Sequence, residues 1–302
     1  MSDIVIIPAF SRPEFLHYCL DQITKADESD TVEIVVFLDK GFDPQNINII
    51  KQYQKKLKVH EFHQTPHQRK DGATVVNYNK LTKQSRNVMC GLISGAEASD
   101  NLVFLIEDDI FIGKDFFTMH RAIHHQRKNI FCSILTRNHN SRYKVSNEAG
   151  AYYLSSDADY QSLGVCFKRE MILDFIAPHY NDGYFQFPFD YVSGEFPQSV
   201  IGNSFVEQDG LIRRIVEQER LTCAFSHVPR AYHAGFYGKN RNLKYQLQKR
   251  TLQQKIELVA EVAFSKDRMK KESENPHFYF DSEPVDLSIT APKYYLFQSK
   301  KI

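Results

Sequence analysis

The feature of this sequence that most constrains its fold is a short apolar run that leads directly into three acidic residues. Residues 102–106 are all apolar, and Glu107, Asp108 and Asp109 follow without a spacer. An apolar run this short, bounded by polar residues, is typical of a strand buried on both faces in a parallel sheet. Open α/β sheets bind ligands at the carboxyl ends of their strands, and the three acids would lie at such an end.

Three adjacent carboxylates at the end of a buried strand need a positive charge nearby, because they repel one another and lose hydration there. Oxygen ligands suit a hard divalent ion, Mg²⁺ or Mn²⁺, and such ions commonly bridge a protein carboxylate to a substrate phosphate. The pattern is equally typical of an acidic loop that follows an ordinary strand, and the residues alone leave both interpretations open.

Strands and helices alternate through the first half of the chain. Apolar runs predict strands at 4–10, 33–39, 58–63, 102–106 and 130–135. Helical spacing and capping residues predict helices from Ser11, with Ser11 as the cap, and over 43–56, 77–98 and 115–127. This alternation predicts an α/β fold, with a doubly wound, mainly parallel sheet and helices on both faces.

The second half is less regular. A strand at 163–167, a helix near 169–176, a helix at 205–219 capped by Ser204, a strand at 221–228 and a helix over 242–262 are predicted. Residues 178–204 are rich in Tyr, Phe, Pro and Gly without a period, which predicts an irregular surface wall or, alternatively, a small satellite core. We expect a main domain over 1–240, divided near residue 138, and a C-terminal helix and tail over 241–302.

Composition limits the cellular context and the partners. The formal net charge is +1, so any basic site must be local. The five cysteines are far apart and form no C-x-x-C pair, which predicts reduced thiols. The N-terminus has no signal-peptide pattern, and no apolar run approaches the roughly 20 residues of a membrane helix. We therefore expect a soluble, cytoplasmic protein without a membrane span.

The order of these motifs resembles that of the GT-A glycosyltransferases. The motifs are Ile-Pro-Ala-Phe-Ser-Arg-Pro over 7–13, an acid after the second strand, Ser-Arg-Asn over 85–87 with Gly91, and Phe-Leu-Ile-Glu-Asp-Asp over 104–109. Within that superfamily the chain looks family-2-like, and Glu-Asp-Asp is similar to the Asp-x-Asp variant of N-acetylglucosaminyltransferase I. Each motif is weak alone, but the ordered set covers about residues 4–240.

The resemblance implies a metal site and a nucleotide site. In that family the strand-end acids hold Mn²⁺ or Mg²⁺, which stabilises the departing nucleoside diphosphate as a Lewis acid. Asp109 would ligate the metal directly, whereas Glu107 and Asp108 would act through water or contact ribose and sugar hydroxyls. His233 matches a histidine that ligates the metal or contacts the diphosphate, with a solvated glycine-rich turn as the alternative.

The remaining donor contacts follow from the same resemblance. The end of the first strand, with Pro8, Phe10 and Arg12, would touch the nucleotide, although Arg12 could equally be a solvated residue at the helix start. Asp39 would contact the base or ribose, unless it only forms the turn before Lys40-Gly41. Two further groups complete the expected site: Arg86, which would lie near the nucleotide sugar or form a surface ion pair, and Lys239 with Arg241, which would neutralise the leaving group.

The acceptor side of the site centres on Glu207-Gln208-Asp209. In inverting relatives a carboxylate near this helix start is the general base that removes the proton of the acceptor hydroxyl. The usual pattern is Glu-Asp, so Gln208 is a departure; Asp209 is favoured as the base and Glu207 is second. Both acids could instead simply compensate the helix dipole. A separate histidine group, His120, His124 and His125, lacks an acidic or cysteine partner and is predicted to lie on the surface.

These residues together imply a metal-dependent, inverting glycosyltransferase that moves a sugar from a nucleotide-diphosphate sugar, in the first instance a UDP sugar, to an acceptor hydroxyl. A glycan or lipid-linked saccharide would enter across the aromatic segment 180–196. Basic clusters at 120–128 and 239–250 also permit a nucleic acid, such as a modified DNA base, as the acceptor. A nucleotidyltransferase and an inactive nucleotide-sugar-binding protein of the same fold remain alternatives, although the first loop lacks the glycines typical of the former.

Overall fold

A computed structural model of the chain describes residues 3–63, 80–135, 152–155, 160–202, 205–226 and 229–233. The strands are β1 (Asp3–Ala9), β2 (Val32–Leu38), β3 (Val59–His63), β4 (Leu102–Leu105), β5 (Ile110–Ile112), β6 (Cys132–Ile134), β7 (Tyr152–Ser155), β8 (Val165–Lys168), β9 (Cys223–Ser226) and β10 (Ala231–His233). The helices are α1 (Pro13–Lys25), α2 (Gln45–Tyr53), α3 (Lys80–Ala98), α4 (Phe116–Gln126), α5 (Arg169–Met171), α6 (Asp182–Gln186), α7 (Pro188–Glu195) and α8 (Gln208–Gln218). The short helix α5 continues as a π-helical turn over Ile172–Ile176 and a 3-10 turn over Ala177–His179.

Eight of these strands form one sheet in the order β3-β2-β1-β4-β8-β6-β9-β7, and β10 pairs with β5 in a separate two-stranded ribbon. Within the sheet, β8 and β7 run antiparallel to their neighbours, and the other six strands share one direction. The predicted α/β class with a mainly parallel sheet is confirmed. The direction of β8 was not foreseen, and β7 lies in a stretch that looked merely polar.

Alternating residues of β1 supply both hydrophobic cores. Val5 and Ile7 belong to the core that includes α1, α2 and α4, whereas Ile4 and Ile6 belong to the core that includes α3 and α8. Helix α3 lies very close to the sheet, since a Cβ atom at Gly91 would be 2.6 Å from Cγ2 of Ile6. Both faces of the sheet are therefore covered by helices, as the buried strands require.

The structure corrects two predicted helix starts. Helix α1 begins at Pro13 with Arg12, rather than Ser11, at the N-cap, and the Arg12 carbonyl accepts the backbone N–H groups of Phe15 and Leu16. Helix α8 begins at Gln208, later than predicted, and its N-cap residue is Glu207. Ser204, the expected cap, lies outside the described residues.

The segment 178–204 is more regular than its composition indicated, because it contains α6 and α7. The aromatic side chains of Tyr184, Phe185 and Phe196 are buried in the α3 and α8 core, whereas Phe187 and Phe189 are about half exposed or more. The prediction of an irregular wall was therefore wrong, and the satellite core is part of the main core. The exposed pair remains as aromatic surface.

Several predictions fall outside the described residues. These are the helix over 242–262, the C-terminal tail, and the basic residues Lys239 and Arg241. The division into 1–240 and 241–302 stays a prediction. The single large sheet joins strands from both sides of the other predicted boundary, near residue 138. Within the described residues, every helix is too short or too polar to cross a lipid bilayer.

The prediction that the histidines of α4 lie on the surface was wrong for two of them. His120 and His124 are buried, and only His125 is exposed. Ser133 on β6 contacts one nitrogen of each buried ring: its Oγ is 2.6 Å from Nδ1 of His120 and 3.0 Å from Nε2 of His124. Each buried imidazole thus has a polar partner inside an otherwise apolar layer.

This histidine pair predicts acid sensitivity. Burial lowers the pKa of both rings, to about 4 for His124. Below a pH of about 6.5, the ordinary pKa of histidine, the unfolded chain therefore binds more protons than the folded chain. Stability contributed by neutral His124 is complete above that value and falls as the pH drops towards 4. We expect a loss of about 2 kcal/mol from His124 at pH 5, which His124→Gln should remove.

Urea denaturation of both proteins at pH 7.5 and pH 5 measures this difference. The same substitution at the exposed neighbour, His125→Gln, should keep the acid sensitivity of the unaltered chain. Equal loss of stability in the unaltered chain and in His124→Gln would contradict the account.

Candidate functional site

The candidate site lies at the edge of the sheet where β1, β2 and β4 end. Glu107, Asp108 and Asp109 form a tight turn between β4 and β5, closed by a hydrogen bond from the Ile110 N–H to the Glu107 carbonyl. The loop after β1 and Asp39 after β2 reach the same edge, since parallel strands end side by side. The topology therefore places the acids where ligands bind in open α/β sheets.

Arg12 holds two of the three acids. Its Nη2 contacts Oδ1 of Asp108 and its Nη1 contacts Oδ2 of Asp109, and both carboxylates are almost fully buried. Although burial opposes the charge, Asp108 and Asp109 raise the pKa of Arg12 above its ordinary value. The guanidinium thus supplies a permanent positive charge in a planar fork, the geometry in which arginine binds carboxylates best.

His233 approaches the same acids from the other side. Strand β10 pairs antiparallel with β5 and sets His233 opposite Ile110, which brings its Nε2 to 3.2 Å from Oδ2 of Asp109. Burial raises the pKa of Asp109, but His233 and Arg12 outweigh it and hold that pKa below its usual range. In the described part of the chain, Oδ1 of Asp109 is buried without a hydrogen-bond partner.

The acids suit a divalent ion in chemistry, although among the described residues they do not form a complete set of metal ligands. Carboxylate oxygens are the ligands that Mg²⁺ and Mn²⁺ prefer, and the orphaned Oδ1 of Asp109 is an acceptor that a cation would satisfy. Across the described residues, however, no three His, Cys, Asp or Glu side chains converge in a metal-binding geometry. Arg12 already contacts one oxygen of Asp108 and one oxygen of Asp109.

Ser162 is a site residue that the sequence did not indicate. It is buried just before β8, and its Oγ donates a 2.8 Å hydrogen bond to Oε1 of Glu107. Its backbone N–H also hydrogen-bonds to Asp209. The antiparallel direction of β8 brings this segment to the edge of the sheet that carries Glu107, Asp108 and Asp109, which we call the acidic edge. Only the direction of β8 could have indicated Ser162, and the local sequence does not encode that direction.

Asp209 rather than Glu207 joins the acidic cluster. Burial, together with the charge of Glu207, raises the pKa of Asp209 to about 6. Burial also raises the pKa of Glu107, and the charges of Asp109 and Asp209 add to that shift, which places Asp209 close to the β4 turn. Tyr160 adds a buried hydroxyl near both acids, without a hydrogen-bond partner among the described groups.

Gln208 has a structural explanation. Its Oε1 accepts a 3.0 Å hydrogen bond from Oγ of Ser85 on α3, and its backbone N–H donates to the same oxygen at 3.0 Å. The side chain between the two acids therefore turns to α3 and fixes the start of α8. The departure from the expected Glu-Asp pattern leaves Asp209 directed to the acidic edge.

Of the other residues predicted to contact the donor, Asp39, Pro8 and Phe10 lie at the ends of β1 and β2, whereas Arg86 lies on α3. Asp39 lies at the acidic edge and forms the turn that was its alternative role: its Oδ1 accepts the Lys40 N–H at 2.8 Å, and Gly41 has a φ of +83°. Pro8 is paired with Phe37 inside the sheet, and the Phe10 carbonyl accepts hydrogen bonds from Asn46 Nδ2 and the Asp43 N–H. Away from this turn, Arg86 hydrogen-bonds with Tyr180.

Arg214 fixes the loop that leads into α8. Its buried guanidinium donates to the carbonyls of Phe205, Gly210, Ile201 and Gly202 at 2.5 to 3.1 Å. The Phe205 carbonyl also passes so close to α8 that a Cβ atom at Gly210 would be 2.1 Å from its oxygen. These contacts determine where the first turn of α8, and hence Asp209, is held.

Comparison with solved structures supports the α/β fold, whereas comparison of the sequence alone finds no relative. No protein-family model matches the sequence, and no curated protein matches it either. Among solved structures, S. aureus TarS 1–349 in complex with UDP matches with a TM-score of 0.50 and 12% identity, covering 94% of this chain and 76% of that one. A structure of S. aureus TarS matches with a TM-score of 0.50 and 14% identity, covering 93% of this chain and 44% of that one. TarS 1–349 in complex with UDP-GlcNAc gives a TM-score of 0.49 at 14% identity, covering 93% and 73%.

The anchoring role of Arg214 predicts a large loss of stability in Arg214→Met. Methionine has a similar length but no donors, so buried carbonyls would lose their partners, at a cost of about 3 kcal/mol in the free energy of unfolding. Urea denaturation measures the loss. Arg169→Met, the same substitution at an exposed position, should change stability by less than about 0.5 kcal/mol. An Arg214→Met variant as stable as that control would contradict the anchoring role.

Proposed function

We propose that this chain binds a nucleotide-diphosphate sugar, in the first instance a UDP sugar, at the acidic edge and transfers the sugar to an acceptor hydroxyl. The observation that carries the proposal is the meeting of two carboxylate groups from distant parts of the chain. Glu107, Asp108 and Asp109 come from the β4 turn, Asp209 comes from the start of α8, and Ser162 hydrogen-bonds to both groups. Such a pair of groups suits a displacement at an anomeric carbon: the first would bind the departing diphosphate through Arg12 or a divalent ion, and the second would activate the acceptor.

The donor would bind across the ends of β1, β2 and β4. The Asp39 turn and the loop after β1, with Pro8 and Phe10, would contact the nucleoside, and the diphosphate would lie towards Arg12 and the β4 turn. The fold similarity to TarS, which was crystallised with UDP, supports uracil as the first base to test. Lys239 and Arg241 remain predicted contacts of the leaving group.

Asp209 is the proposed general base. A pKa of about 6 leaves its carboxylate ionised at neutral pH and makes it a stronger base than an ordinary aspartate. In the proposed step, the acceptor proton passes to Asp209 while the acceptor oxygen bonds to the anomeric carbon. The bond from that carbon to the phosphate oxygen breaks, and its electron pair leaves with the nucleoside diphosphate. A single in-line displacement of this kind inverts the configuration at the anomeric carbon.

Asp109 and His233 are the proposed ligands of a divalent ion, Mn²⁺ or Mg²⁺. When bound, such an ion supplies Lewis-acid stabilisation of the charge that develops on the diphosphate. The orphaned Oδ1 of Asp109 and the nearby Nε2 of His233 support this assignment. Glu107 is placed differently: its hydrogen bond from Ser162 directs it towards Asp209, where it would contact the sugar.

A saccharide is the proposed acceptor. The exposed rings of Phe187 and Phe189 offer the flat apolar surface on which sugar rings pack. The alternative of a nucleic acid rested partly on the cluster at 120–128. In that cluster His120 and His124 are buried, and Arg121 is paired with Asp3 and Glu28. This cluster therefore offers less basic surface than its sequence indicated.

The proposal predicts donor hydrolysis that depends on Asp209. In the absence of an acceptor, water can take its place, so the chain with Mn²⁺ should release UDP slowly from at least one of UDP-glucose, UDP-galactose and UDP-GlcNAc. Asp209→Asn should lower this turnover about 100-fold or more, the usual effect of losing a general base, and leave UDP affinity within about threefold. Glu207→Asn is the matched control and should keep most of the turnover.

Turnover by coupled detection of UDP and affinity by calorimetry together test the proposal. Failure of the unaltered chain to bind UDP with Mn²⁺ would sink the nucleotide assignment. If Asp209→Asn binds UDP and keeps the turnover of the unaltered chain, Asp209 is not the general base.

A further inference from the structure

We propose that Arg12 competes with the divalent ion for Asp108 and Asp109, so that the nucleotide-free chain binds that ion weakly and the incoming diphosphate releases the acids by taking Arg12. This inference rests on the proposed function for the identity of the diphosphate. It makes Arg12 the residue that determines when the metal binds, beyond a simple contact with the nucleotide.

The competition follows from the atoms involved. Arg12 contacts Oδ1 of Asp108 through one nitrogen and Oδ2 of Asp109 through the other, and the latter oxygen also faces His233. A divalent ion such as Mg²⁺ would bind a carboxylate oxygen at about 2.0 to 2.1 Å. An ion there would share its oxygens with a guanidinium of like charge, so full occupancy by both is unfavourable.

Burial turns this competition into an exchange. The Asp108 and Asp109 side chains are only 5% and 4% exposed. Two carboxylates that both stay ionised at such a depth cannot lose Arg12 without another cation, because a buried charge without a partner is costly. Oδ1 of Asp109 has no hydrogen-bond partner in the described part of the chain, so it offers the entering ion a first ligand.

The diphosphate gives Arg12 a destination. Arg12 is the N-cap residue of α1, and its carbonyl is held by the N–H groups of Phe15 and Leu16, so its backbone stays fixed while the long side chain can rotate. Its guanidinium lies 5.3 Å from the centre of the Phe15 ring, at the edge where the nucleotide would bind. Phosphate oxygens accept the two parallel N–H groups of arginine as carboxylates do. Donor and metal should therefore each strengthen binding of the other, and equally so.

Electron paramagnetic resonance of Mn²⁺ titrated into the full chain, without nucleotide, tests the inference. Arg12→Gln removes the competing charge and should tighten Mn²⁺ binding about tenfold or more. Arg12→Lys keeps a positive charge and should bind Mn²⁺ nearly as weakly as the unaltered chain. Arg121→Gln, which removes an arginine paired with acids away from the site, is the matched control and should leave Mn²⁺ affinity unchanged.

Either of two results would overturn the inference. One is an Arg12→Gln variant that is folded by circular dichroism and binds Mn²⁺ no more tightly than the unaltered chain. The other needs no variant: tight Mn²⁺ binding to the nucleotide-free, unaltered chain, with a dissociation constant below about 10 μM, the range of dedicated ion sensors. Because no nucleotide or acceptor is present, these outcomes leave the proposed transfer reaction untouched. Failure to bind UDP would sink that reaction without deciding the competition.

Discussion

The site depends on carboxylates that are held at the end of a buried strand and therefore need positively charged partners. Asp108 and Asp109 are nearly inaccessible to water, and a buried charge without a partner would cost several kcal/mol or more. The chain meets this demand with Arg12 from the loop after β1 and His233 from β10. The acids thus bring together Arg12, 96 positions before Asp108, and His233, 124 positions after Asp109.

The sheet topology explains how these partners meet. Six strands share one direction, so the loops after β1, β2 and β4 open at one edge, whereas antiparallel β8 begins at that edge and brings Ser162 there. The β5 and β10 ribbon carries His233 to Asp109, and Arg214 with Gln208 fixes the first turn of α8. The β4 turn and the start of α8 therefore belong to one continuous structure, in which Ser162 hydrogen-bonds to Glu107 and to Asp209.

The sequence was informative where local pattern determines structure and uninformative where distant contacts do. The apolar run before Glu107 and the alternation of strands and helices predicted the α/β sheet and the acidic edge. The direction of β8, and with it Ser162, depends on pairing with β4 and could not be read locally. His120 and His124 were misplaced because their burial follows from how α4 packs against the sheet, where both rings meet Ser133, and spacing along the helix does not show this. Arg12 was expected at the nucleotide, and only the folded chain shows it on the acids.

A crystal structure of the chain grown with UDP and Mn²⁺ tests the central claim most directly, because the anomalous signal of manganese locates the ion independently. The account predicts UDP across the ends of β1, β2 and β4, manganese against Asp109, and the Arg12 guanidinium on a phosphate oxygen instead of on Asp108. UDP bound elsewhere on the molecule, or at this edge with manganese away from the β4 turn, would contradict it.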